Sequence, residues 1–325
     1  MRARILNQHT LRAALALALS CSLLAAVPAL AGSELQSLPT AEGGWSIPDS
    51  SAGRAPSAQG AIELRGRGMM AFDPSEITTV RPDAFRPGHF SVFDVLVHLA
   101  ASGAIDLEYS FDVELQTHVI KSLNGLEGWW YDAHYEGGSF DRTVVRMDLF
   151  PVKDGMSIVL YLEDPVRLAA IEEHFRDEIR RLTANEGQIV IPRVTLRSAT
   201  SEIVFDNVDV TTHDVRADVF HDGFTTMLDV LLSLGEQGAF DTLDIEWRIA
   251  DGDISVIDGY YVVRVSSGGF SPEATGACVL THQIGGELID DHLAPHTHTM
   301  SHVHLTADLE ILISPESVEW LWVCL

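Results

Sequence analysis

Apolar and polar positions follow the same order in two stretches of the chain. Residues 81–106 read RPDAFRPGHFSVFDVLVHLAASGAID, and residues 216–241 read RADVFHDGFTTMLDVLLSLGEQGAFD. The two stretches align without a gap at an offset of 135 residues, and 11 of the 26 positions are identical. A match of this density indicates an internal duplication, so we expect two structurally similar copies.

Each stretch carries the signals of one short helix. Ser91 and Thr226 are good N-cap residues, and Asp94 and Asp229 follow at the spacing of a capping box. A glycine twelve positions after each cap suits the left-handed residue that ends a helix. Apolar residues at helical spacing give each helix a face for the core: Val92, Leu96 and Leu99 in the first copy, and Met227, Leu231 and Leu234 in the second. We therefore predict a helix of about three turns in each copy and assign the aspartates to capping rather than to catalysis.

Strand-like composition and alternating apolar and polar residues predict strands around these helices. In the first copy the predicted strands are 61–64, 77–80, 105–111, 113–123, 129–131, 144–149 and 158–162. Predicted strands 188–194 and 202–209 lead into the second copy, in which the others are 260–263, 305–313 and 318–323. Asn124-Gly125 and Asp258-Gly259 predict turns at corresponding places, each leading into an aromatic strand. Between the copies, Asp164 as a cap and Pro165 in the first turn predict a longer helix.

Part of this order resembles a known family. The resemblance is carried by residues 120–126 (IKSLNGL), by the aromatic strand 129–131 (WWY) and by Lys153-Asp154-Gly155 before a closing strand. These residues resemble the transcobalamin-like C-terminal domain, a β-grasp-type module of exported proteins, over 85–163 and more faintly over 220–325. The second copy lacks the Trp pair and has a long insertion after its aromatic strand. The resemblance implies a fold, with ligand binding or surface display, and does not establish cobalamin binding.

The predicted fold class is α+β: two tandem β-grasp-like repeats, each a mixed or antiparallel sheet with one packed helix, joined by a longer helix. We divide the chain into a signal peptide (1–31), a disordered linker (32–60), a first repeat (61–163), a connecting helix and strand (164–200) and a second repeat (201–325).

The N-terminus predicts export. Arg2, Arg4 and Arg12 form a basic n-region, residues 11–30 supply a mostly apolar run, and Ala29-Leu30-Ala31 is a small-x-small cleavage site. The expected location is periplasmic or extracellular, with no membrane insertion after the signal is removed. With 21 Lys and Arg against 47 Asp and Glu, the net charge of −26 opposes nucleic acid as a partner and favours cations. Another exported protein is a further candidate partner.

Three cysteines are present, and Cys21 lies in the predicted signal peptide. Cys278 and Cys324 remain after export. A disulfide between them and two free thiols are both compatible with the sequence, because only the fold decides whether the two residues meet.

The insertion in the second copy has the composition of a metal site. From Asp290 the chain reads DDHLAPHTHTMSHVHLTAD, in which four histidines and one methionine share the same parity. On an extended strand these five side chains project from one face. Imidazole is the commonest metal ligand, and thioether sulfur favours soft copper. The predicted metal ligands are these five residues and two nearby histidines: His296, His298, Met300, His302, His304, His292 and His282.

The sequence thus predicts an exported transition-metal-binding protein, a carrier, buffer or redox partner, with copper preferred and zinc as the alternative cofactor. Three other hypotheses are a pH-sensing histidine cluster, a metal-using enzyme, and a surface adhesion, assembly or small-ligand-binding module with an incidental His-rich loop. HExxH, GxSxG, phosphate-loop and GxGxxG motifs do not occur in the sequence, so no catalytic residue is assigned. For Trp129-Trp130-Tyr131 we expect core packing rather than a ligand-stacking platform.

Overall fold

The structure is a computed structural model, and it describes residues 36–37, 55–135, 140–141, 145–250, 257–271, 278–284 and 307–324. The predicted signal peptide, most of the predicted linker 32–60 and six of the predicted metal ligands, from His292 to His304, lie outside these residues. Within them the fold is α+β, as predicted, with antiparallel and mixed sheets.

A five-stranded sheet forms the base of the N-terminal half. Its strands lie in the order β3 (Gly68–Phe72), β2 (Gly60–Leu64), β8 (Met156–Leu162), β6 (Trp129–Tyr135) and β7 (Phe140–Asp141). β2 and β8 run parallel, and the other neighbours run antiparallel. Helix α1 (Val92–Ala101) leads into a separate hairpin of β4 (Leu107–Asp112) and β5 (Thr117–Leu123).

A four-stranded sheet occupies the same place in the C-terminal half. Its order is β10 (Glu202–Val210), β9 (Ile189–Arg197), β14 (Ser317–Cys324) and β13 (Cys278–Ile284), with β9 and β14 parallel. Helix α3 (Met227–Glu236) leads into the hairpin of β11 (Thr242–Arg248) and β12 (Gly259–Ser266). The short strand β1 (Gln36–Ser37) pairs with the other edge of β11.

The two predicted turns do not correspond. Asn124-Gly125 follows the second strand of the first hairpin and leads to β6, whereas Asp258-Gly259 precedes the second strand of the other hairpin. The aromatic strand β12 therefore takes the place of β5 and not, as expected, the place of β6.

Helices α1 and α3 begin where the capping pattern predicts. The hydroxyl of Ser91 accepts the N–H of Asp94 at 3.2 Å, and the Asp94 carboxylate accepts the N–H of Ser91 at 2.7 Å. The Asp229 carboxylate accepts the N–H and the hydroxyl of Thr226. The glycine after each helix has a φ of 78° or 76°, a conformation that other residues rarely adopt. The capping roles of both aspartates are confirmed.

The same two aspartates hold the chain that leads into each helix. Asp94 accepts the N–H of Val80 at 2.6 Å, and Asp229 accepts the N–H of His213 at 2.9 Å. The predicted strand 77–80 is wrong, because a carboxylate rather than a neighbouring strand satisfies this backbone.

Two further predicted strands are turns in their described parts. Residues 145–150 and 307–310 lie at the N-termini of α1 and α3. The first two N–H groups of α1 donate to the carbonyls of Phe150 and Met147, and those of α3 donate to Glu310 and Ala307. A helix leaves its first N–H groups without internal partners, and these segments turn to supply the acceptors. The alternation of apolar and polar residues at 144–149 and 305–313 therefore predicted strands where residues 145–149 and 307–310 form turns.

Helix α2 (Pro165–Ala184) follows the N-terminal half, as predicted. The Asp164 carboxylate caps it by accepting the N–H of Val166 at 2.8 Å, and Pro165 occupies the first turn. Ala170, Ile171 and Phe175 are buried in the core. No helix in the described ranges is long and apolar enough to span a membrane.

The two halves meet through matching residues. Phe85 and Phe220, which align at the offset of 135, form an antiparallel bridge with ring centroids 5.5 Å apart. The N–H of Arg86 donates to the carbonyl of Val219 at 2.8 Å, and the N–H of His221 donates to the carbonyl of Ala84 at 2.9 Å. Each bond is the counterpart of the other, so this contact has local two-fold symmetry.

Candidate ligand-binding cleft

A small cleft with a cavity volume of about 50 Å³ lies between the hairpin β4–β5, strand β6 and helix α2. Its walls are mostly apolar and aromatic, with a carboxylate and an imidazole among them; they include His118, Trp129, Trp130, Leu168, Glu172 and Phe175. Because the hairpin and β6 belong to different sheets, their side chains do not close the space between them.

Neighbouring groups hold the aromatic walls in place. The indole N–H of Trp129 donates to the carbonyl of Leu126 at 3.1 Å. The rings of Trp130 and Phe175 lie 6.2 Å apart. The guanidinium of Arg146 lies 4.2 Å from the centroid of Phe175 and is itself paired with Glu178. These contacts hold the aromatic rings of the cleft in fixed positions.

His118 supplies the polar side of the cleft. Its Nδ1 atom lies 2.8 Å from Oδ2 of Asp148, and its backbone N–H donates to the same oxygen at 3.0 Å. The ring stacks on Phe93 with centroids 5.2 Å apart. The imidazole is therefore held in one orientation by Asp148 and by Phe93, with Nδ1 engaged by the carboxylate.

Asp148 is the buried centre of this arrangement. It also accepts a hydrogen bond from the hydroxyl of Thr117 at 2.5 Å and one from Arg81 at 3.1 Å. Burial raises the pKa of Asp148, but the bonds from His118 and Thr117 and the charge of Arg81 outweigh burial and hold the pKa below its usual value. The carboxylate stays ionised as the acceptor of His118.

The C-terminal half has the same ionic framework without the imidazole. Arg216 pairs with Asp308 at 2.8 Å and with Asp218 at 2.9 Å. Gly259 and Tyr260 take the positions of Thr117 and His118. The N–H of Tyr260 donates to Asp308 at 3.0 Å. A Cβ on Gly259 would lie 3.0 Å from the Asp308 carboxylate, so a side chain like that of Thr117 has no room at this position.

Sequence reasoning missed the pair of His118 and Asp148. His118 has no regularly spaced histidine partner, and Asp148 lies 30 residues further on, in a segment assigned to a strand. One signal was available: Asp-Leu occurs at 148–149 and again at 308–309, after the aromatic strands of both copies.

Of the predicted metal ligands, His282 alone falls in the described part of the chain. It lies in β13 with 0 % exposure, and its Nε2 atom is 2.7 Å from Oε2 of Glu310. Its ring lies 5.1 Å from that of Trp320. The structure thus brings His282 to a carboxylate; the other six ligands lie outside the described residues. Across the ranges that are described, no three His, Cys, Asp or Glu side chains are grouped to hold a metal ion.

One question that the sequence left open is the state of Cys278. It is disulfide-bonded, and its partner in the β13–β14 register is Cys324.

Comparisons with protein-family profiles, with characterised proteins and with solved structures gave no match for this chain.

Proposed function

We propose that this chain is an exported binding protein whose N-terminal half holds a small molecule with a flat, apolar body. The observation that carries the proposal is the small cleft, of about 50 Å³, that Trp129, Trp130 and Phe175 line beside the imidazole of His118. Concave, largely apolar sites with a few placed polar groups are the usual form of small-molecule sites.

The groups in the cleft define the ligand chemistry. Indole and phenyl surfaces favour a planar ring, because aromatic groups gain from stacked and edge contacts beyond simple burial. The Nε2 atom of His118 would bond a polar substituent, while Asp148 holds the opposite ring nitrogen at 2.8 Å. Trp129 and Trp130 are buried in the core, as the sequence predicts, and in this proposal they also line the cleft.

Filling the cleft is expected to weaken this binding. Leu168→Trp places an indole in the space next to Trp130, so binding of the neutral fluorescent probe N-phenyl-1-naphthylamine should weaken at least about tenfold, equivalent to about 1.4 kcal/mol. The measurement is probe emission titrated with protein. Val166→Trp is the matched control, because Val166 is 62 % exposed on the same helix. Equal probe affinity in the Leu168→Trp and Val166→Trp variants would contradict the proposal.

We propose metal binding by the His/Met segment as a second function. Its support is the shared parity of His296, His298, Met300, His302 and His304. A further observation favours it: residues 285–306 join β13 to the turn at 307–310, and His282 and Glu310 lie near the two ends of this segment. Two ligand-type side chains are thus already held at its base.

The metal proposal predicts a selective loss. His298→Ala together with His302→Ala should abolish stoichiometric binding of copper or zinc, measured by metal analysis and calorimetry on untagged protein. Binding should also weaken as pH falls through about 6.5, because protonated imidazole cannot ligate. The control variant, His98→Ala with His221→Ala, removes two histidines elsewhere. Unchanged metal affinity in the first variant would show that the segment is not the site.

We also propose that the two halves arose by duplication of a β-grasp-like module related to the transcobalamin-like C-terminal domain. Support comes from the offset of 135 in the sequence, the equivalent order of hairpin, helix, hairpin and closing strands, and the matched arginine–aspartate networks. Under this proposal the two halves diverged in function. The first kept the aromatic cleft, and the second acquired the insertion.

A further inference from the structure

We propose that the outer edge of β4 accepts an extended, basic segment of a partner protein as an added strand. This surface lies on the hairpin β4–β5 and is separate from the metal segment; it borders the cleft, because the rings of Tyr109 and Phe111 lie 5.9 and 5.1 Å from that of His118.

The outer edge of β4 has no strand partner among the described residues. β4 pairs with β5 on one side, and the described residues supply no strand on the other. Phe111 lies opposite His118, whose N–H points away from β4 to Asp148 at 3.0 Å. This is therefore a non-hydrogen-bonded pair, so the N–H and C=O of Phe111 face the outer edge. The same holds for Tyr109, two residues earlier.

An apolar stripe runs along this edge. Tyr109, Phe111 and Val113 alternate along the strand and its turn, with 40 %, 43 % and 70 % exposure. Tyr109 is braced from behind by Phe93, with ring centroids 5.1 Å apart. Native edge strands are usually protected by lysine, proline or a covering element. An exposed apolar stripe that no described strand covers indicates a surface for interaction.

The equivalent hairpin already carries an added strand. β11 follows α3 as β4 follows α1, and the edge of β11 away from β12 pairs with Gln36–Ser37. In β11 the residues Leu243, Ile245 and Glu246 are buried, whereas most of β4 is exposed. This kind of hairpin therefore accepts an extended segment in this protein.

Charge selects the occupant. The hairpin around the stripe carries more negative than positive charge. Its acidic residues are Asp106, Glu108, Asp112 and Glu114, and its lysine is Lys121. A second copy of this chain carries a net charge of −26 and would be repelled. A segment that alternates lysine or arginine with apolar residues fits best: backbone bonds supply affinity, and its positive charges pair with the acidic rim.

A synthetic heptapeptide, Lys-Val-Lys-Val-Lys-Val-Lys, tests the proposal on the full chain. Its addition should slow amide hydrogen exchange, followed by NMR, at Tyr109 and Phe111, and affinity should fall with added salt. The N–H of Ser110, which faces β5, is the internal reference. A peptide with glutamate in place of lysine should bind at least about tenfold more weakly.

Two variants complete the test. Tyr109→Lys with Phe111→Lys should remove binding, whereas Val166→Lys with Val204→Lys makes the same charge change at exposed sites elsewhere and should leave binding intact. Equal loss in both variants, or no slowing of exchange in the native chain, overturns the proposal. Concentration-dependent self-association that protects Tyr109 and Phe111 without peptide also overturns it, because the occupant would then be a second copy.

Discussion

Replacing Arg216 by methionine is expected to destabilise the fold by about 3–5 kcal/mol, because removing one partner of a buried ion pair leaves the other charge unpaired. Both Arg216 and Asp308 are almost fully buried, with side-chain exposures of 0 % and 2 %. Burial raises the pKa of Asp308 above its usual value even with Arg216 present. Without the guanidinium, ionised Asp308 has lost its charged partner, and urea unfolding at pH 7 measures the cost.

The pH dependence of the Arg216→Met variant identifies the cause. Loss of Arg216 should raise the pKa of Asp308 further, so this carboxyl should protonate in the folded variant at a pH where the unfolded chain is still ionised. The unfolded state then binds fewer protons than the folded state, so the variant should recover part of its loss as pH falls from 7 to 5. A loss that is independent of pH would point to packing alone.

Arg81→Met is the matched control in the N-terminal half. Arg81 is 13 % exposed and its neighbour Asp83 is 60 % exposed, so solvent screens part of this pair. Asp148 keeps the hydrogen bonds of Thr117 and His118 after the change. The expected destabilisation is less than half of that at Arg216, and an equal loss at both positions would contradict the argument from burial.

Phe220→Ala is expected to cost about 3–5 kcal/mol, because the ring is 3 % exposed and its removal leaves a cavity between the halves. Phe85→Ala should cost a similar amount. Since the two rings lie 5.5 Å apart, the double variant should show a coupling of about 0.5–1.5 kcal/mol in a double-mutant cycle.

The control for this cycle pairs Phe85 with a phenylalanine that belongs to another contact. Phe240 is buried and packs on Phe205 with centroids 6.0 Å apart. Phe85→Ala and Phe240→Ala should therefore be additive within about 0.5 kcal/mol. Additive losses for Phe85 and Phe220 as well would show that the bridge between the halves contributes only through local packing.

Local signals in the sequence determined the helices. Ser91 with Asp94, and Thr226 with Asp229, give the start of each helix because a cap requires partners only three residues away. The glycine at the other end is equally local, since its positive φ is a property of one residue. Much of the strand pattern at 61–64, 158–162, 202–209 and 318–323 was also readable, because strand-like composition and alternation are properties of one short segment.

Only the tertiary structure decided where these elements pair. Residues 145–150 and 307–310 alternate like strands, yet they turn because helix N-termini far away in sequence require acceptors. The parallel pairing of β2 with β8, and of β9 with β14, joins strands separated by most of a half. His118 meets Asp148 for the same reason, and the cleft beside them exists because two sheets do not close on each other. Such partners are set by packing and by hydrogen-bond satisfaction across the fold, and a periodic pattern within one segment contains no information about them.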